Sequence, residues 1–363
     1  MKNILCLSSG RMPQYRLDIL RVIALPTGAT IQFRYSEHLV HSDLLKPLAQ
    51  NECTGRQLIV GHVDGNAERI LSDGNCPITL CRYGTLTRSE RSGSYFVLHI
   101  ELGSMVLSHD WQAAQADIES VRPHLRDGVT ATADEAPLTG LWCFETALTT
   151  VPERTLDSVG MWEAVVTQLW QSPDFRQQPV FYSVKGLHVG PIGSTTRETM
   201  SGGEFTLRTD KEYELRVLHW HPEADSRPPL TQGSKMLVTV ESPQLRSITS
   251  PQLPLDSPYD VKTYKVRTGQ STKEEFSSFV VRIVDKDGKP VENQPELFLP
   301  ARIQPSYVKV GFVVLALAAL LWLQQLVPLL IKGTQDWATA LSTLGLAILA
   351  AFVVVFGLKK PLA

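Results

Sequence analysis

Residues 310–331 read VGFVVLALAALLWLQQLVPLLI, and residues 337–358 read WATALSTLGLAILAAFVVVFGL. Each run has 22 residues and neither carries a charge. As a helix rising ~1.5 Å per residue, each would extend about 33 Å, close to the ~30 Å hydrocarbon core of a bilayer. Buried core helices normally keep a polar face, and these runs have none, so the sequence predicts two membrane spans. Only residues 332–336 separate them, which predicts an antiparallel hairpin with both outer ends on one side.

That side carries Arg302, Lys309, Lys359 and Lys360, whereas the short link holds Lys332 beside Asp336. The excess of cations predicts a multi-pass protein of the cell (inner) membrane, with the N-terminal region and the C-terminal tail cytoplasmic. The lipid bilayer is accordingly an expected partner. Within the first run, Pro328 has no N–H to offer the carbonyl of Gln324, so a kink is predicted where Gln324 and Gln325 are the polar side chains. In the second run Thr343, Ala347 and Ala351 recur at i, i+4 and i+8. Such a ridge of small residues permits close helix approach and predicts packing within the hairpin or in a homo-oligomer.

Working outward, the rest of the chain is acidic. Of 35 Lys and Arg, five lie from residue 302 onward, and of 37 Asp and Glu only Asp336 does, which leaves residues 1–301 with 30 cations against 36 anions. That balance argues against bulk nucleic-acid binding. The apolar run at residues 4–7 is too short for a secretory signal core. Five cysteines (Cys6, Cys53, Cys76, Cys81, Cys143) without a C-x-x-C pair suit a reducing compartment.

Residues 3–8, 30–35, 57–62, 78–83 and 95–102 read as strands between turn-rich stretches, which predicts a barrel-like or sandwich β domain. Residues 110–125 and 156–171 read as helices, the second with Val159, Trp162, Val166 and Leu169 on one face. Beyond residue 175 strands return at 180–184, 204–208, 213–219, 235–241, 261–267, 279–285 and 296–299, a rhythm like that of an immunoglobulin-type sandwich. The predicted fold class is therefore mainly β with some helix: residues 1–175, a β-rich domain with two helices; residues 176–301, an immunoglobulin-like β-sandwich; and residues 302–363, the two-span hairpin.

Candidate chemistry is sparse. Ser8, Ser9, Gly10 and Arg11 follow a strand in the way of loops that cradle a phosphate, although the spacing is not that of a P-loop. Arg34 and Arg82, on predicted strands, are further candidate ligands for an anion. His219 and His221 stand two apart on a strand and so share a face, with Glu223 as a possible third metal ligand. No nucleophile elbow, zincin or kinase pattern is present, so neither catalysis nor a cofactor is predicted.

In layout, a large β-rich region followed by a two-helix C-terminal hairpin resembles the two-span membrane effectors of bacterial anti-phage defence. The resemblance implies a sensing or interaction module that controls membrane disruption, together with a protein partner encoded nearby. The alternatives are a membrane-tethered scaffold that recruits a soluble partner, and a membrane-bound metalloenzyme using His219 and His221.

Overall fold

Residues 4–7 are apolar at every position and so suit a strand buried on both faces, as in a parallel sheet covered by helices. They form the centre of β1 (Asn3–Ser9), and Ile4, Leu5, Cys6 and Leu7 are all buried. The computed structural model describes residues 3–10, 12–65, 78–106, 138–144, 159–190, 197–198, 200–221, 233–269, 271 and 273–305.

After β1 the chain turns through Ser9 and Gly10 into α1 (Pro13–Ala24). Pro13 suits the first turn, where an N–H would have no intrahelical acceptor, and Ile19, Leu20, Val22, Ile23 and Ala24 bury one side. There follow β2 (Thr30–Ser36), a short 3-10 turn at Glu37–Leu39, α2 (Ser42–Ala49), β3 (Gln57–Val63), β4 (Ile78–Ser92), β5 (Tyr95–Met105) and β6 (Gly140–Phe144). These strands make one six-stranded sheet in the order β2-β5-β4-β3-β1-β6.

The pair β1–β3 is parallel, with Ser8 opposite His62 and Ser9 opposite Val63, while the other pairings of the sheet are antiparallel. This corrects the expected barrel-like or sandwich form of the N-terminal domain. Parallel neighbours need a crossover connection, and here α1, β2 and α2 supply it, giving an open mixed α/β sheet. α1 packs on β1, β3 and β4, and α2 packs on β4 and β6.

α3 (Val159–Gln171) buries Trp162, Val165, Val166 and Leu169, in line with the periodicity read there, and packs on β4 and β5. The predicted helix at 110–125 lies outside the described residues.

The second half holds β7 (Phe181–Val189), β8 (Arg197–Glu198), β9 (Met200–Ser201), β10 (Glu204–Arg208), β11 (Glu212–Trp220) and β12 (Lys235–Val240). It continues with β13 (Leu245–Ser247), β14 (Gln252–Pro254), β15 (Tyr259–Thr268), β16 (Glu275–Val284) and β17 (Leu297–Gln304). They form a six-stranded sheet, β14-β12-β16-β17-β10-β9, and a five-stranded sheet, β13-β15-β11-β7-β8. Alternation along β16 and β17 sends Phe279, Val281, Leu299 and Ala301 into a core shared with Leu215 and Val217 of β11. The turn after β16 is built by Asp285, whose carboxylate accepts the N–H groups of Asp287 and Lys289, with Gly288 at φ 81°.

The two halves meet along α1 and α3. Trp162 of α3 donates its indole N–H to the carbonyl of Ile23 at 3.0 Å and packs against Trp220. Gly203 donates to the Gly28 carbonyl at 3.1 Å, and Gly28 has φ 84° with no space for a side chain, since an added Cβ would lie 2.1 Å from the Met200 oxygen.

Among the described residues no helix is long and apolar enough to cross a membrane. The longest of them, α3, has 13 residues and so extends only about 20 Å at ~1.5 Å per residue, short of a ~30 Å hydrocarbon core. This corrects the expected transmembrane hairpin and the multi-pass inner-membrane location, with its cytoplasmic termini, that was drawn from it. Residues 310–331 and 337–358, with Gln324, Gln325, Pro328, Thr343, Ala347 and Ala351, lie outside the described residues.

Candidate functional site

The parallel pair puts the carboxyl ends of β1 and β3 side by side, and in open α/β sheets that end is where loops diverge and leave room for ligands. Because Ser8 stands opposite His62 in register, both side chains lie on the same face of the sheet. Ser8, Ser9 and His62 are all buried, and so is Asp64 just beyond β3.

Asp174, three residues past α3, closes this end. Its Oδ2 accepts the N–H of Gly65 at 2.8 Å and that of Gly10 at 3.2 Å, and lies 3.2 Å from Nε2 of His62. One carboxylate oxygen thus gathers donors from the loop after β1, the loop after β3 and β3 itself. Gly10 must be glycine for this approach, since an added Cβ would fall 2.4 Å from the carboxyl carbon of Asp174. Burial alone raises the Asp174 carboxyl, but the bond to His62 and the amides of Gly65 and Gly10 outweigh it and hold the carboxyl below its ordinary range.

His62 is 1% exposed. Its Nε2 faces Asp174 and also lies 3.4 Å from the Ser172 hydroxyl, while its ring meets Phe175 edge-on at 4.8 Å. Among the described residues the other ring nitrogen, Nδ1, has no hydrogen-bond partner, and neither has the hydroxyl of Ser9, which the register places on the opposite face of the sheet from His62.

A chain of bonds leads from this end into the second half. Arg16 of α1 donates to the Asp174 carbonyl at 3.4 Å and to the side-chain oxygen of Asn293, a residue held at φ 59° just before β17. Gln178 donates to the Asn293 carbonyl, and His221 is bonded to the Gln178 carbonyl.

Of the residues singled out from the sequence, Ser8 and Ser9 are brought to this site, while Arg11 lies outside the described residues. Arg82 is elsewhere and fully buried. It donates to the carbonyls of Val22, Leu25 and Gly103 and to the Thr27 hydroxyl, so it satisfies the C-terminal end of α1. Arg34 is exposed on β2, at the far edge of the sheet, and lies over the Tyr95 ring at 3.8 Å. Four strand spacings of ~4.8 Å put β2 about 19 Å from β1.

His219 and His221 do not converge. His219 bonds the Ser257 carbonyl at 2.7 Å, and burial, partly offset by that bond, holds its imidazole below the ordinary value. His221 packs between Trp170 and Phe181. Glu223 lies outside the described residues, and no group of three potential ligands gathers among the described residues. Cys6, Cys53 and Cys81 are buried, and burial pushes the Cys81 thiol up to about 12.

His62, Gly65 and Asp174 were not visible as a set in the sequence. The Asp174 contacts cross 164 positions to Gly10 and 109 to Gly65, so no local pattern announces them. The one local signal is the Asp64-Gly65 pair, a turn dipeptide that carries no information about Asp174.

No protein-family model matches the chain, and no curated protein matches it. Among solved structures, a Bacteroides ovatus GH5 xyloglucanase in complex with a XXXG heptasaccharide is similar over 33% of this chain at 9% identity and a TM-score of 0.18. The chain spans 19% of that structure's length, and a likeness at that level carries no argument about fold or function.

Proposed function

We propose that this chain is a sensing and interaction protein, in which a small polar ligand binds at the carboxyl ends of β1 and β3 and the second half passes the signal to a protein partner. The observation that carries the reading is the convergence of Gly10, Gly65 and the buried His62 on one oxygen of Asp174, with the second ring nitrogen of His62 unpaired among the described residues. A buried group left unpaired costs roughly 1–3 kcal/mol, which a fold retains where the group has work to do. The path Asp174–Arg16–Asn293 supports transmission, since it joins the site to the segment before β17.

A second reading, an adaptor that recruits a soluble partner without sensing, is supported by the outer face of β16 and β17. Phe276 is 69% exposed and Phe298 is 57% exposed, and the register sets Phe298 opposite Val280, four residues from Phe276. Exposed aromatics on one face of a sheet are typical of interaction surfaces.

Hydrogen exchange on the full chain, with and without ATP, cyclic AMP, NAD or citrate, separates the two. Sensing predicts that a bound ligand slows exchange in residues 3–10 and 57–65 and also alters it in Phe181–Val189. Protection confined to the first two segments, or none with any of the four, contradicts sensing and leaves the adaptor.

A further inference from the structure

The oxygen of Asp174 sits where an external anion would sit. Two backbone N–H groups from different loops and an imidazole nitrogen converge on Oδ2, at 2.8 Å from Gly65, 3.2 Å from Gly10 and 3.2 Å from His62. Such convergence of donors at strand ends recurs where proteins hold phosphoryl or carboxylate oxygens. Among the described residues the second ring nitrogen of His62, Nδ1, has no partner; it is on the ring whose Nε2 faces the carboxylate, and the residue is 1% exposed.

Asp174 is also placed to leave. Its side chain retains 12% of its exposure, and it stands between α3 and β7 in a segment that carries Phe175 and, through its carbonyl, the contact to Arg16. Withdrawal of the carboxylate would vacate the three donors and loosen both contacts together.

We propose that Asp174 is an internal placeholder in an oxyanion site, and that the phosphoryl or carboxylate group of a small ligand displaces it to bind Gly10, Gly65 and His62. The inference rests on the ligand-site reading above and adds its chemistry.

The test is calorimetric titration of the full chain with inorganic pyrophosphate and with malonate, comparing wild type, Asp174→Ala and Asp174→Asn. Asp174→Ala empties the site and is expected to bind at least one probe tenfold or more tighter than wild type; Asp174→Asn, which still fills the space with an acceptor, is expected to resemble wild type. The probe that gains identifies the phosphoryl or the carboxylate class. Equal affinity in a folded Asp174→Ala overturns the proposal. Should that variant fail to fold, glycine-labelled wild type titrated with pyrophosphate and malonate decides the matter: the Gly10 and Gly65 amide resonances must move together, and unmoved resonances overturn the inference. Shifts with an uncharged probe such as adenosine, but not with either anion, would reject the placeholder while leaving a ligand site in place. Anion binding without changed exchange in Phe181–Val189 would do the reverse.

Discussion

The two ends of α1 rest on buried polar side chains that are treated in opposite ways. At the C-terminal end Arg82 is wholly buried and gives its guanidinium to three carbonyls and a hydroxyl. At the N-terminal end His62 is as deeply buried but, among the described residues, bonded through one ring nitrogen only. A satisfied buried charge holds a fold together, whereas a half-satisfied cluster spends stability that packing must supply. The difference teaches where to look for function: at the end the fold leaves incomplete.

The comparison breaks most visibly at Arg82. Arg82→Met takes the guanidinium donors from the carbonyls of Val22, Leu25 and Gly103, and three buried acceptors left short should together cost about 3–5 kcal/mol, read as a lower urea midpoint. Next, Gly10→Ala forces a methyl group against the Asp174 carboxyl and is expected to cost about 1–3 kcal/mol while abolishing the Gly10 bond.

Asp174→Asn sharpens the contrast through pH. Because the folded carboxyl lies below its unfolded value, its contribution is present above the ordinary carboxylate range, near pH 4, and is lost as pH falls through the folded value. Wild type should therefore lose stability on acidification below about pH 4 more steeply than Asp174→Asn, and be the more stable of the two at pH 7. Denaturant melts from pH 7 to pH 2.5 measure both. The smallest effect is expected at the exposed aromatics: Phe276→Ser with Phe298→Ser should change stability by less than about 0.5 kcal/mol each, while weakening capture of any protein partner.

Much of the strand pattern was legible, because turns such as Asp285–Pro290 and alternation such as that along β17 are local properties. α1 escaped because it follows directly on β1 and mixes β-branched Val22 and Ile23 with Leu20, so its apolar residues do not single out a helical period. α2 escaped because Pro47 lies inside it, a residue that ordinarily argues against a helix. The parallel pairing of β1 with β3 depends on contacts more than 50 positions apart, and the period-2 signal is blind to strand direction. The membrane hairpin was read from apolar length alone, and none of the described helices supplies a span. As for the site, Ser8 and Ser9 were visible as hydroxyls at a strand end, but Asp174 reaches the neighbouring Gly10 only through tertiary folding. Arg82 was misleading, since an arginine on a strand looks the same in sequence whether it awaits a ligand or caps a helix.

The most direct test of the contrast is native-state hydrogen exchange of three amides: Gly10 and Gly65, both bonded to Asp174, and Leu25, bonded to the Arg21 carbonyl at the Arg82 end. If the incomplete end is built to open for a ligand, Gly10 and Gly65 exchange through a local opening at least a hundredfold faster than Leu25, whose exchange requires global unfolding. Equal protection of all three, tracking global stability in denaturant, would contradict the account.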